Sequence, residues 1–213
     1  MDSITKIGVN GIFPVVELQD AADAIPLGQA LLDGGLPIVE VTYRTDAASE
    51  AIKRITSTYK QMLVGAGSVV HVSQAEDAIS SGAQFIVAAG FNPELVDWCI
   101  GKGVPIIPGV ATPSEITMGV LRELKVLKFF PAEVMGGING LKAVSAPFPG
   151  MKFIPMGGIS AANMAQYLSM PMVHACGGSW LVSKSLIAQK NFDEIRRLTQ
   201  EAISIVKKVR RDL

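Results

Sequence analysis

Two charged residues in this sequence sit inside apolar runs, and both are of types that can do covalent chemistry. Lys128 lies in Leu124-Lys125-Val126-Leu127-Lys128-Phe129-Phe130-Pro131, which reads as a short strand ended by a proline that cannot donate to a sheet ladder. Alternation puts Leu124, Val126, Lys128 and Phe130 on one face and Leu127 and Phe129 on the other. Burial disfavours a charged lysine, lowers its pKa and leaves a free amine near neutral pH. Such an amine can attack a ketone and form a Schiff base. The plainer alternative is an edge lysine whose stem packs while its head reaches water.

Glu40 is its natural companion. In Ile38-Val39-Glu40-Val41-Thr42-Tyr43-Arg44-Thr45, parity places Ile38, Glu40, Thr42 and Arg44 on one side and the two valines on the other. A carboxylate between valines is costly to bury without a partner, and Lys128 or Arg44 would offset that cost. One outcome is a structural ion pair between strands. The other is an acid–base site, which two inward ionisable groups near strand C-termini favour. Arg44 adds a planar fork suited to a carboxylate or phosphate.

Glycines punctuate three predicted strand ends: Gly65-Ala66-Gly67-Ser68, Gly157-Gly158 and Gly177-Gly178-Ser179. The first lacks the last glycine of a dinucleotide loop, since Val70 stands there. The other two follow the seventh and eighth strands, the usual phosphate seat of barrel enzymes, where glycine lets backbone N–H groups approach an anion. No metal site is expected. His71 and His174 are the only histidines, far apart and without nearby Cys or acidic residues at ligand spacing, and each reads as a buried or capping side chain.

These residues need a frame. Strands are predicted over Phe13–Glu17, Ile38–Thr42, Met62–Ala66, Phe85–Ala88, Pro105–Pro108, Leu124–Phe129, Lys152–Pro155 and Val173–Cys176. Helices are predicted over Ala21–Gly34, Ala47–Tyr59, Gln74–Ser81, Glu94–Gly103, Ser114–Leu121, Ile138–Ala146, Ala161–Leu168 and Asp193–Arg211. Eight strands, each followed by a helix, make an α/β fold of the (β/α)8 TIM-barrel type the economical solution, with a doubly wound open sheet as competitor. Helix starts are legible at Thr112-Pro113-Ser114-Glu115, a capping box with proline at the first position, and at Ser73-Gln74-Ala75-Glu76, with Asn92 and Ser160 as further caps.

The chain has 213 residues, 49% of them hydrophobic, a size that suits one barrel domain over residues 1–213. Nineteen basic residues balance nineteen acidic ones, which gives a nucleic-acid partner no basic face. No apolar run reaches the roughly 18 residues of a membrane span, and the N-terminus lacks signal-peptide character. Cys99 and Cys176 read as small buried hydrophobes in a reducing compartment. A cytoplasmic protein is expected.

The quoted motifs, with Ile107-Pro108-Gly109, Lys128-Phe129-Phe130-Pro131-Ala132-Glu133, Gly157-Gly158-Ile159-Ser160 and Gly177-Gly178-Ser179-Trp180-Leu181, resemble the bacterial 2-keto-3-deoxy-6-phosphogluconate (KDPG) aldolase family. That family includes 4-hydroxy-2-oxoglutarate aldolases. The resemblance runs in order over nearly the whole chain, and the Lys-Phe-Phe-Pro-Ala-Glu string is its most specific part. It implies a class I aldolase without cofactor or metal, commonly a homotrimer, acting on a small 2-keto acid and releasing pyruvate.

Carried over, Lys128 forms the Schiff base and Glu40 shuttles protons. Arg44 and Ser68 hold the pyruvyl carboxylate, Phe130 packs near the imine, and Gly157, Gly158, Gly178 and Ser179 bind the distal phosphate. Ser68 replaces a threonine. Ala89 stands where members often have proline, and Met156 where many have threonine; both are expected to face the substrate. The implied reaction is cleavage of a 2-keto-3-deoxy-6-phospho sugar acid to pyruvate and glyceraldehyde 3-phosphate. The galactonate epimer and 4-hydroxy-2-oxoglutarate are alternative substrates. A phosphosugar isomerase with Glu40 as base and a non-catalytic phosphosugar-binding barrel are the competing functions.

Overall fold

The computed structural model describes residues 1–211. Its strands are β1 (Ile12–Val16), β2 (Ile38–Thr42), β3 (Leu63–Val69), β4 (Phe85–Ala88), β5 (Ile106–Ile107 and Gly109–Val110), β6 (Val126–Phe129), β7 (Lys152–Pro155) and β8 (Cys176–Gly178). Every pairing is parallel. β1 lies between β2 and β8, and β2, β3 and β4 follow in order. Pro108 has no N–H to give, and around it β5 falls into two pieces. Ile106–Ile107 pairs with β4, and Gly109–Val110 pairs with β6. β7 joins β6, and a bridge from Phe153 to Val173 brings the chain back towards β8. The eight strands thus form a ring, the barrel expected from strand–helix alternation rather than an open sheet.

The helices are α1 (Ser3–Asn10), α2 (Ala24–Asp33), α3 (Ala48–Thr58), α4 (Val72–Ser80), α5 (Pro93–Gly101), α6 (Pro113–Val120), α7 (Gly137–Ser145), α8 (Met164–Leu168), α9 (Lys184–Ala188) and α10 (Phe192–Arg211). Each strand is buried on both faces, so the strands read as near-continuous apolar runs. β1 and β4 are not neighbours in the ring, yet Phe13 and Phe85 meet edge to face with centroids 6.2 Å apart. Their contact passes through the interior, and these fully buried rings fill the barrel below the polar residues.

Several predicted boundaries are corrected. β3 runs on to Val69, so Gly67 and Ser68 lie within the strand and not after it. β8 begins at Cys176, which places Gly177 and Gly178 inside the ladder opposite Phe13 and Pro14. β1 ends at Val16 and leaves Glu17 at its C-terminal edge; Leu124 and Lys125 precede β6. The helix predicted from Ala21 opens as a 3-10 turn, and the one predicted from Ala161 starts only at Met164.

The Thr112 box forms as predicted, with Glu115 Oε2 accepting from Thr112 N at 2.9 Å. Asn92 caps α5. The box predicted at Ser73 is displaced: His71 is the cap, and Gln74 accepts from Val70 N at 2.9 Å. Ser160 is no cap either, since its own N–H donates to Asn163.

Helices α1 and α9 have no predicted counterpart. They have eight and five residues. α1 is fixed at the strands' N-terminal ends: Ser3 Oγ donates to Gln84 O at 3.2 Å, and His174 Nε2 lies 2.8 Å from Ile4 O. Among the described residues no helix is long and apolar enough to cross a membrane.

Candidate active site

A cavity of about 200 Å³ opens at the C-terminal ends of the strands, the end at which barrel enzymes build their sites. Glu40, Arg44, Ser68, Ala89, Lys128 and Phe130 line one part of it. Met156, Gly157, Gly178 and Ser179 line the rest, with Val15 and Gly177 between. Residues spread over more than a hundred positions therefore converge on one space.

Lys128 is held in the middle of the ring, with its backbone N–H donating to Pro108 O at 3.0 Å and its Cα in register with Gly109 and Ile154. The residue is only 5% exposed. Its Nζ donates to Ala88 O at 3.3 Å and lies 4.7 Å from the centre of the Phe130 ring. Burial holds the ammonium pKa below the usual lysine value; Glu40 works against that shift and Arg44 adds to it. The inward lysine expected from strand parity is thus a buried amine and not a snorkelling one.

Glu40 is 1% exposed and sits between Val15 of β1 and Gly65 of β3. Among the described residues its Oε2 has no hydrogen-bond partner, nor does Thr42 Oγ1 on the same strand. Burial pushes the Glu40 carboxyl up to about 7, against the opposing pull of Lys128 and Arg44. At neutral pH it is divided between acid and base, as a proton carrier needs to be.

Arg44 and Ser68 stand at the rim. Ser68 has a positive φ of 56°, uncommon outside glycine. It falls where the β3–β4 register shifts between Ala66 and Val69. A bulge of this kind re-aims a side chain, and Ser68 lines the cavity as a result. Arg44 Nε lies 3.2 Å from Glu17 Oε2, which orients the guanidinium at the cavity mouth.

The opposite wall carries the glycines. Gly157 has φ 89°, a conformation open to glycine. Met156 is buried and packs over Gly177, where an added Cβ would lie 2.7 Å from Met156 Cε. Among the described residues no three His, Cys, Asp or Glu side chains converge as a metal site requires.

The family model for KDPG and KHG aldolase matches residues 3–198. The chain belongs to this aldolase family. A curated 2-dehydro-3-deoxy-phosphogluconate aldolase from Treponema pallidum is 45% identical over 195 residues, covering 92% of this chain and 93% of its own. The KDPG aldolase of Legionella pneumophila, solved with pyruvate captured as a covalent carbinolamine intermediate, superposes with a TM-score of 0.91 at 37% identity. It covers 95% of this chain and 98% of its own. The KDPG aldolase of Zymomonas mobilis, solved with 3-phosphoglycerate, gives 0.88 at 34% identity, with 95% and 96% covered.

Ten of the eleven site residues expected from the resemblance to these aldolases line the cavity. The exception is Gly158, which backs onto Glu133: a Cβ there would stand 2.4 Å from Glu133 Cγ. It shapes the loop and does not wall the space. Glu133 in turn accepts a hydrogen bond from Tyr167 Oη, so the last residue of the Lys-Phe-Phe-Pro-Ala-Glu string has a structural partner.

Sequence reasoning missed Val15 and Glu17, and it named Gly177 as part of the glycine run at the expected phosphate seat without assigning it a contact. Val15 was open to the parity argument used on β2, since it shares a face with Phe13 and Glu17. Glu17 gave no signal, because its partners are distant in sequence.

Proposed function

We propose that this chain is a class I aldolase that splits 2-keto-3-deoxy-6-phosphogluconate into pyruvate and glyceraldehyde 3-phosphate. One observation carries the reading: an amine and a carboxyl, Lys128 and Glu40, are both taken out of water on the wall of one cavity. Burial moves the two pKa values in opposite directions, towards neutrality.

In this reading the free amine of Lys128 adds to the C2 ketone, and the carbinolamine loses water with a proton supplied by Glu40. The Glu40 carboxylate then takes the C4 hydroxyl proton. The C3–C4 bond breaks, its electron pair moves into the protonated imine to give an enamine, and the aldehyde leaves. Glu40 returns its proton to C3, and water releases pyruvate and regenerates the amine. The protonated imine is the electron sink, so the cleavage itself calls for no metal.

Arg44 and Ser68 would take the carboxylate of the keto acid. The backbone at Gly157 and Gly178, with Ser179, would take the phosphate. A single catalytic barrel, argued from chain length, a cytoplasmic location, argued from the cysteines, and a homotrimer, implied by the family resemblance, belong to the same reading. Turnover of the galactonate epimer is favoured by one feature, the apolar Met156 on the wall; 4-hydroxy-2-oxoglutarate is an alternative through the family resemblance alone.

The test is incubation with pyruvate and borohydride followed by peptide mapping. Lys128 should carry the reduced adduct and activity should be lost irreversibly. Labelling that falls on another lysine, or that persists in Lys128→Ala, would overturn the assignment.

A further inference from the structure

Outside the cavity wall, one half-buried carboxylate is tied directly to a residue of the site. Glu17 stands at the C-terminal edge of β1, and its side chain is only 9% exposed. Oε2 faces Arg44 Nε at 3.2 Å, Oε1 pairs with Lys184 Nζ, and Gln19 Nε2 donates to Oε1 at 3.0 Å. The two cations are far more exposed, at 51% and 70%, so the carboxylate is the fixed member and the long basic side chains are what it fixes. Lys184, then burial, then Arg44 set its titration, with a net shift below the usual carboxylate range.

We propose that Glu17 is a positioning residue for the aldol reaction: its ion pair with Arg44, closest at Nε, keeps the guanidinium at the cavity mouth for the carboxylate of the 2-keto acid. Arg44 follows β2 and Lys184 lies beyond β8, and β1 runs between those strands. A carboxylate at the end of β1 can therefore tie both flanking segments across the mouth. An arginine has enough rotamer freedom to be lost from the cavity unless something orders it, and a side chain half exposed to solvent has little else to do so. The inference rests on the aldolase reading above.

The sign of the effect separates positioning from plain electrostatics. Removing a negative charge beside an anion site should, by charge alone, tighten binding of a 2-keto acid. Loss of positioning should weaken it. The structural alternative is that Glu17 merely clamps β1 to the segment after β8. A built-in control exists, because Asp23 and Lys190 form a second ion pair between the same two regions, away from the cavity wall.

The experiment measures the pyruvate concentration that half-saturates borohydride inactivation, together with KM and kcat for cleavage. It uses the wild type, Glu17→Gln, Glu17→Asp, Asp23→Asn, Arg44→Ala and the double variant Glu17→Gln/Arg44→Ala. For Glu17→Gln both the half-saturating pyruvate and KM should rise roughly tenfold, as loss of one charge-assisted contact would give, while kcat changes little. Glu17→Asp, which keeps the charge but shortens the reach, should fall in between and serves if the glutamine variant does not fold. Asp23→Asn should lower thermal stability without moving either constant.

In the Arg44→Ala background, Glu17→Gln should add nothing. Tighter or unchanged binding in Glu17→Gln, or an equal loss with Arg44 already removed, would refute the inference while leaving the aldolase reading standing. Absence of any pyruvate-dependent inactivation in the wild type would instead remove the aldolase reading and this inference with it.

Discussion

Gly67 and Glu40 compete for one place. A Cβ built on Gly67 would lie 1.8 Å from Glu40 Oε1 and 2.4 Å from Glu40 Cδ. The bare backbone of β3 is what lets the carboxyl fold down beside its own strand's neighbour and reach the cavity. The glycine is required by close approach, not by a turn.

Gly67→Ala should therefore displace Glu40 and slow turnover by roughly 10²–10⁴, the usual yield of a positioned general acid–base. The check is non-additivity: combined with Glu40→Ala, Gly67→Ala should cost no further activity. A full extra loss in the double variant would mean that Gly67 serves something other than Glu40.

Glu40→Gln should fold and lose turnover by the same roughly 10²–10⁴, and its pH behaviour should separate chemistry from stability. The Glu40 carboxyl titrates at about 7 in the folded protein and near 4.5 when free. A raised carboxyl pKa means that the folded state resists ionisation. The folded state is thus favoured below the free value, and stability is lost as pH rises from 4.5 through 7, by on the order of 1–3 kcal/mol. The wild type should lose melting temperature relative to Glu40→Gln over that window, and the kcat/KM profile, which reports the free enzyme, should carry an inflection near 7 that the variant lacks. Parallel melting curves for the two proteins across that range would contradict the buried-acid assignment.

Ser179→Asp should weaken phosphorylated substrates far more than unphosphorylated ones, since a carboxylate on that wall repels a phosphate. Comparing kcat/KM for 2-keto-3-deoxygluconate and its 6-phosphate in both proteins measures the difference. An equal effect on the two would take the phosphate away from Ser179 and its neighbours.

Met156 supplies the last expectation. A thioether at this position offers no donor and makes an adaptable apolar wall. Such a wall discriminates by only ~1–3 kcal/mol, whereas a site built to bond a hydroxyl rejects its absence strongly. The wild type should accept both the gluconate and galactonate 6-phosphates with kcat/KM ratios under about a hundredfold, and Met156→Thr should widen the ratio. Strong selectivity in the wild type that threonine leaves unchanged would show that this residue does not set the stereochemistry.

The sequence alone determined the alternation of strands and helices and the inward parity of Glu40 and Lys128. Both follow from short-range periodicity, because side chains in strands alternate and burial on both faces writes apolar runs around any charge. It also pointed to ten of the residues that line the cavity, through a family resemblance carried by strings such as Lys128 to Glu133. Only the tertiary structure decided what brings those residues together and how they titrate. Closure of the ring through the split β5 and the Phe153–Val173 bridge sets Lys128 and Glu40 on one cavity. The space beside Glu40 depends on Gly67 of the next strand, the cavity-facing Ser68 on a register shift against β4, and the order of Arg44 on Glu17, 27 positions earlier. Each of these is a contact between strands whose distance in sequence has no bearing on their distance in space. Desolvation, which moves the Glu40 and Lys128 pKa values most, is likewise a property of everything packed around a group, so no window of sequence contains it.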